Sequence, residues 1–339
     1  MKIAIHHRKG SFSDRWIDYC KRNGISYKLV DAYSNDIITE LSDCDIFMWH
    51  HHHADYRDML FAKQLIYSIE SKGITVFPNF KTTWHFDDKV GEKYLLEAVE
   101  APIVPSYIFY TKKEAHQWAE STEYPKVFKL RGGAGASNVK LIHSKGKAHR
   151  VINRAFGRGF KQFSGWSYFK DRLNKWRNNK DTFIGVIKGF GRIFIPTTFS
   201  KMYSTEKGYA YFQEFIPQNY FDIRVIVIGD KAFAIKRMCR KNDFRASGSG
   251  DIRYDRNEIP IECVKTAFNV NDKLDSQCTA FDFVFNSSEA LIVEISYGFA
   301  MKGYDACPGF WTSDLEWHEG SFVPQDWMIE NAIKMHLNN

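Results

Sequence analysis

The chain has 339 residues, 44% hydrophobic and 26% charged, an ordinary globular composition long enough to bury a full core in two or three packed units. It has no uncharged apolar stretch of about 18 residues, and the opening "MKIAIHHRKG" lacks a signal peptide's apolar stretch and cleavage site, so neither a membrane span nor export is expected and the reading is cytoplasmic. The net charge of +7 is uneven: residues 145–180 hold eleven Lys or Arg against one acid, Asp171, a local +10 that leaves −3 for the remainder.

"KIAIHH" and "SYKLV" are short strands flanking the amphipathic helix "DRWIDYCKRNG", which closes on Gly24. "CDIFMWH" is a third strand, "ADYRDMLFAKQLIYSIESKG" a longer helix, and "ITVFPN" a fourth strand stopped by Pro78. This β-α-β-β-α-β order predicts an open α/β domain over residues 1–83, whose active edge lies beyond the strand C-termini. "WHHHH" (49–53) falls at that edge. On position alone His51 and His52 are candidate substrate contacts; the bland reading of the run is exposed rings with one helix cap, and no metal is assigned to it. The six cysteines (Cys20, Cys44, Cys239, Cys263, Cys278, Cys307) lack C-x-x-C spacing and read as reduced thiols.

"HFDDKVGEKYLLEAVEAP" begins a helix with Asp87 or Asp88 as N-cap and Lys89 in its first turn. A strand "SYIFY", a helix near "KKEAHQWAEST" and a strand "KVFKL" lead into a glycine loop that returns as a strand, "VFKLRGGAGASNVKLI". That loop satisfies neither the P-loop nor the dinucleotide fingerprint, both of which open a helix. Gly132, Gly133 and Gly135 still allow backbone N–H groups to approach an anion, although a glycine hairpin taken alone is more often a plain turn.

Next comes the basic segment 145–180, interleaved with aromatic residues; Val151, Ile152, Ala155 and Phe156 have helical spacing, so part of it packs on the body as a lid. Nucleic-acid phosphates, an anionic membrane surface and an acidic glycan are the partners such a segment suits, with nucleic acid set last and contact at the inner membrane face retained. Strands "AYFQEFIP" and "DIRVIVIGDKAFAIKRM", a helix near "IECVKTAFNVNDKL", and paired strands "AFDFVF" and "ALIVEISYG" complete the pass. Asp282 and Glu294 are lone acids in the middle of apolar strands. A carboxylate there needs a compensating cation: Mg2+, or an arginine such as Arg224 or Arg237.

The ordered set of Lys89, Lys129, the glycine loop, "QEFIP", "DIRV", "KR", Asp282 and "VEIS" resembles the ATP-grasp superfamily over roughly residues 84–312. The resemblance implies an ATP-grasp fold of mixed α/β (α+β) class: the N-terminal α/β domain 1–83, a central subdomain 84–212 with the glycine flap and basic insertion, and a C-terminal subdomain 213–339 with the magnesium acids. It implies that Lys89 and Lys129 hold ATP phosphates under a flap of Gly132, Gly133 and Gly135. Gln213, Glu214, Phe215 and Ile216 would form the hinge strand at the adenine, with Asp222 nearby. Asp282 and Glu294 would be the Mg2+ ligands, and Ser296 stands where the superfamily usually has an asparagine. Arg237 first, then Arg224 and Arg245, would face the transferred phosphoryl group. The implied activity is ADP-forming carboxylate–amine ligation through an acyl phosphate. Within the superfamily the pattern resembles proteins of bacterial surface-glycan gene sets, which implies a glycan or sugar-precursor carboxylate and an amine as substrates. Separately, "CPGFWTSDLEWHEG" (307–320) is dense in Trp, and Trp311 or Trp317 is a candidate to stack on a sugar ring, with core packing the commoner reading. The alternatives are a phosphotransferase on the same fold and a basic binding module with a degenerate ATP site.

Overall fold

The computed structural model describes residues 1–132, 139–161, 169, 172–173, 176, 182–194, 205–240, 244–246 and 250–338. The first unit is a parallel sheet in the order β2-β1-β3-β4, made of β1 (Lys2–His6), β2 (Ser26–Val30), β3 (Ile46–Trp49) and β4 (Thr75–Phe77). Its crossovers are α1 (Phe12–Arg22), the short α2 (Ile37–Glu40) and α3 (Tyr56–Ser71), with α4 (Phe80–Thr83) following β4. In α1 the buried Phe12, Trp16 and Cys20 recur every fourth residue, which places them on one stripe against the sheet. Asn23 is the C-cap and Gly24 follows it at φ +63°, the left-handed position the sequence predicts there.

The second unit opens with α5 (Lys89–Ala98) and contains an antiparallel sheet in the order β5-β8-β6-β7. Its strands are β5 (Ser106–Phe109), β6 (Lys126–Lys129), β7 (Val139–Ile142) and β8 (Ala210–Glu214). β6 and β7 pair antiparallel, so the glycine loop joins a hairpin as expected. Helices α6 (Lys112–Ser121) and α7 (Lys145–Ala155) cover one face, burying Ala115, Ala119, Ala148, Ile152 and Ala155 against Phe128 and Phe212. α7 is the predicted helical start of the basic segment, and α8 (Phe183–Phe194) lies beyond it.

The third unit is a larger sheet, β13-β12-β9-β10-β14-β15 with β11 (Ile252–Arg253) on β10. Its main strands are β9 (Phe221–Ile228), β10 (Lys231–Met238), β12 (Cys278–Asn286) and β13 (Glu289–Ser296), followed by β14 (Gly309–Thr312) and β15 (Trp317–Glu319). Alternation gives this sheet two different faces. Ile223, Val225, Val227, Phe281 and Phe283 face α9 (Ile261–Leu274) in one apolar layer. On the other face Ile226, Ile228, Ala280 and Cys278 join Ile3, Phe12, Trp16 and Met48 of the first unit in a second core, while Asp222, Arg224 and Asp282 continue the same face as charges.

The C-terminal helix α10 (Pro324–Asn338) seals this second core, packing on α1 and β4. Gly229 in the β9–β10 turn has φ +58°, and a Cβ there would strike the Asn331 side chain of α10, so the turn and the helix are fitted to each other. Phe233, fully buried, touches Phe299, Tyr304, Phe322 and Trp327 and so links β10 to α10. We expect Phe233→Ala to cost about 3–5 kcal/mol. Urea unfolding would show a lower midpoint with an unchanged slope, whereas a shift under about 1 kcal/mol would mean that this aromatic cluster does not hold the two elements together.

Candidate active site

Lys89 is the first residue of α5. Asp88 caps that helix, accepting from the Gly91 N–H at 3.0 Å, and the Lys89 N–H donates to the Arg131 carbonyl at 2.9 Å, tying the helix start to the chain leaving β6. Lys129 closes β6 itself. Each lysine is only 4% exposed, and both face a cavity of about 700 Å³ between the two antiparallel sheets. Lys89 Nζ meets Glu294 Oε1 at 3.1 Å. Burial opposes its charge, but Glu294, Glu92 and Asp87 outweigh burial and hold its pKa above the ordinary 10.5. For Lys129 burial wins over the attraction of Glu294, Lys89 adds repulsion, and its pKa falls from 10.5 to about 8.

The acids come from the neighbouring strands β12 and β13. Asp282 and Glu294 are direct register partners, so their side chains stand beside each other on the cavity face. Across the other edge of β12, Asp282 is in register with Arg224, which binds it twice, Nε to Oδ1 at 2.5 Å and Nη2 to Oδ2 at 2.9 Å. Arg237 reaches Asp282 Oδ1 at 2.9 Å and clamps both oxygens of Asp222 at 2.6 Å. Burial alone would raise the carboxyl pKa of Asp282, but Arg224 and Arg237 reverse that and hold it low; Lys89 and Lys129 do the same for Glu294. At Asp222 burial outweighs Arg237 and the pKa is raised.

At the end of β8, Gln213 Nε2 donates to Ser106 Oγ at 3.1 Å. Glu214 accepts from Lys126 Nζ at 2.5 Å and 2.6 Å and from the Tyr107 hydroxyl at 3.0 Å. These two side chains are committed to the sheet, while Phe215, Ile216, Val127, Val284 and Val293 give the cavity an apolar wall. Arg8, His50, His52 and His53 line the cavity from the C-terminal edge of the parallel sheet, the edge where open α/β sheets meet their ligands.

Neither a family profile nor a curated protein matches the sequence. Solved structures do match. A RimK domain ATP-grasp protein from Sphaerobacter thermophilus superposes at a TM-score of 0.57 with 13% identity, over 98% of this chain and 100% of that one. D-alanine–D-alanine ligase from Bacillus anthracis, solved with ATP, gives 0.57 and 12% over 100% and 98%. The biotin carboxylase domain of a 2-oxoglutarate carboxylase from Hydrogenobacter thermophilus, solved with MgADP, gives 0.58 and 14% over 98% and 69%. The chain has the ATP-grasp fold.

On this ATP-grasp frame the cavity brings together Lys89, Lys129, Gln213, Glu214, Phe215, Ile216, Asp222, Arg224, Arg245, Asp282, Glu294, Ser296 and His52. Gly132 is buried three residues after β6, and Gly133 and Gly135 lie outside the described residues. Three expectations change. Arg237 is 7% exposed and stands behind Asp222 and Asp282 instead of on the cavity wall, because two carboxylates hold its guanidinium, so the candidate arginines that line the cavity are Arg224 and Arg245. His51 turns away from the cavity: its ring bonds Thr83 Oγ1 and its carbonyl accepts from the Tyr297 hydroxyl. Trp311 is buried in the opposite core against Trp317, with ring centroids 4.6 Å apart, and offers no open ring to a sugar.

The donor set fits magnesium and a polyphosphate. Two buried ammonium groups face the same space as two adjacent carboxylates, and among the described residues no group of three His, Cys, Asp or Glu converges as a full protein cage would require. A hard cation taking one or two carboxylates and leaving its other positions to phosphate oxygens and water suits that arrangement. Ser296 contributes least: its hydroxyl donates to the Gly298 carbonyl at 3.1 Å and accepts from the Gly298 N–H at 3.2 Å. Of the two compensations anticipated for the lone acids, the ion pairs are in place: Asp282 meets Arg224 and Arg237, and Glu294 meets Lys89.

Glu92 is the functional candidate that sequence reasoning passes over. It is 4% exposed and lines the cavity, and burial together with the nearby Glu294 pushes its carboxyl pKa well above the usual range. The available signal was its spacing: Lys89, Glu92 and Leu96 fall on one helix face, the buried one.

Lys129 generates a pH test. The folded protein releases this proton near pH 8, the unfolded chain near 10.5. The penalty is complete below pH 8 and is relieved as pH rises from about 8 to about 10.5. Lys129→Met should therefore stabilise the ligand-free protein at pH 7 by about 2 kcal/mol, with an advantage that shrinks across that window. Paired urea titrations of wild type and variant would check this; a variant less stable at pH 7 would mean that Lys129 is net stabilising.

Proposed function

We propose that the protein is an ATP-dependent, ADP-forming carboxylate–amine ligase that works through an acyl phosphate on a glycan or sugar-precursor carboxylate. The observation that carries this reading is the convergence of Lys89, Lys129, Asp282 and Glu294 on one cavity, with Arg224 as the adjoining cation. ATP with Mg2+ would supply the phosphoryl group that activates the carboxylate. Lys89, kept charged by Glu294, and Lys129, poised near pH 8, neutralise phosphate charge in a water-poor space where such contacts are strong. Asp282 and Glu294 hold the metal. A cation on Asp282 would compete with Arg224, and the released guanidinium already lines the cavity, where it can meet the activated carboxyl group. Arg237 and Asp222 position Asp282 and Arg224 from behind.

The likeness to a D-alanine–D-alanine ligase and to a RimK domain protein supports the reaction class. The sugar-acid assignment rests on the resemblance of the loop and C-terminal motifs, without Trp311. The test is turnover of Mg-ATP with pooled sugar acids, nucleotide-linked sugars and amines, with products weighed by mass spectrometry. We expect amine-dependent ADP release with a condensation product, reduced by roughly a hundredfold or more in Glu294→Gln. A phosphorylated sugar without amine use would replace ligation by phosphotransfer, and turnover unaffected by Glu294→Gln would remove this site from the reaction.

A further inference from the structure

We infer that Arg8, His50 and His52 form an anion-binding subsite at the first unit's end of the cavity, where a second acidic group of the substrate, one that is not activated, is anchored. As a substrate subsite it rests on the ligase reading; as an anion site it stands on its own geometry. All three residues line the cavity from the C-terminal edge of the parallel sheet, Arg8 after β1 and the two histidines after β3.

The Arg8 backbone is fixed, its N–H donating to Ser13 Oγ at 3.0 Å, but its guanidinium is held loosely. Nη2 donates to the His50 carbonyl at 3.4 Å and Nη1 lies 3.7 Å from Asp58 Oδ2, against 2.5 Å and 2.9 Å for the pair Arg224 makes with Asp282. Asp58 has nearer partners: the Tyr33 hydroxyl donates to Oδ1 at 2.5 Å and the His52 N–H to Oδ2 at 2.6 Å. Arg8, with 35% of its side chain exposed, therefore keeps donors for another acceptor. The two rings add oriented donors. His50 is 8% exposed and stacks on Phe12 at 3.7 Å, and its Nδ1 accepts from the Phe12 N–H at 3.1 Å. His52 Nδ1 accepts from the Ala54 N–H at 3.0 Å. Burial first and Arg8 second hold both rings below the ordinary pKa of 6.5, so at pH 7 each is neutral and carries its proton on Nε2. Among the described residues neither Nε2 has a hydrogen-bond partner, and that of His50 lies 3.8 Å from where a Cβ on Gly298 would stand, on the cavity wall.

A permanent cation beside two N–H donors selects an anion. A metal would need ring lone pairs, and the Nδ1 lone pairs already accept from the backbone; an ammonium group would meet the charge of Arg8. The subsite also communicates with the reacting end. His53 stacks on His52 at 4.2 Å and lines the same cavity, and burial, His52, Lys89 and Arg8 bring its pKa down to about 4 against the pull of Glu294. Lys89 and Glu294 belong to the other units, so one enclosed space offers a substrate two separate charged ends.

The test fills the lysine end first. The full chain, saturated with Mg2+ and a non-hydrolysable ATP analogue, is titrated calorimetrically with inorganic phosphate and, separately, with malonate. We expect saturable binding of at least one, weakened about tenfold or more in Arg8→Gln, while the analogue binds that variant as it binds wild type. Binding of phosphate alone would name a phosphoryl group on the substrate, and binding of malonate alone a carboxylate. The ring resonances of His50 and His52 in wild type should move in the same titration, a readout independent of how the variant folds. No binding of either anion, unmoved ring resonances, or equally tight binding in Arg8→Gln overturns the subsite. Failure of the analogue to bind would count against the ATP reading alone, and titration of nucleotide-free Lys129→Met protein, with and without Arg8→Gln, would then decide the subsite by the same criteria.

Discussion

Everything in the cleft depends on how a run of charges is kept inside a sheet that is otherwise apolar. On one face of the large sheet, Ile226, Ile228, Ala280 and Cys278 are core, and one strand repeat further along the same positions become Asp222, Arg224 and Asp282. A buried carboxylate without a partner is prohibitive, so each is matched: Asp282 by two arginines, Asp222 by Arg237, Glu294 by Lys89. The pairing runs along hydrogen-bond register, which makes the network as rigid as the sheet. The apolar half of the face binds the first unit and α10, the charged half opens to the cavity, and the junction of the units therefore becomes the site.

Such a network holds its geometry but is not relaxed. Burial leaves Lys129 short of compensation and pushes the Glu92 carboxyl pKa up. On the proposed reading, a polyanion and a metal entering together would supply what is lacking: negative charge for Lys129 and a competitor for Asp282. Either alone leaves an imbalance, since phosphate without a metal crowds Asp282 and Glu294, and a metal without phosphate displaces cations with nothing to receive them. The physical expectation is mutual enhancement of the two ligands, with Arg224 as the group whose partner changes.

Strand alternation made much of this legible. An acid in the middle of an apolar strand such as "AFDFVF" signals compensation by itself, whereas the common face of Arg224 and Asp282 comes from the register of β9 with β12. Alternation does not say how far along a face the cavity extends, which is why Arg237, on the same side as Arg224, ranks first in the sequence yet stands behind the cavity wall. His51 illustrates the same limit in a loop: consecutive rings diverge, and Thr83 and Tyr297, distant in sequence, decide which one turns inward. Trp311 was placed by composition, and β14 carries it to the far layer.

Two long helices, α8 and α10, escaped the sequence pass for opposite reasons. In α10, Trp327, Met328, Ile329 and Ala332 are all buried because the helix is packed from more than one side, so no polar stripe marks its period. In α8, "FIGVIKGFGRIF" carries Gly185, Gly189 and Gly191, poor helix formers that argue against a helix on local propensity. Isolated in water such a segment would gain little by folding, since the apolar stripe it forms, Ile184, Ile187 and Phe190, faces outward.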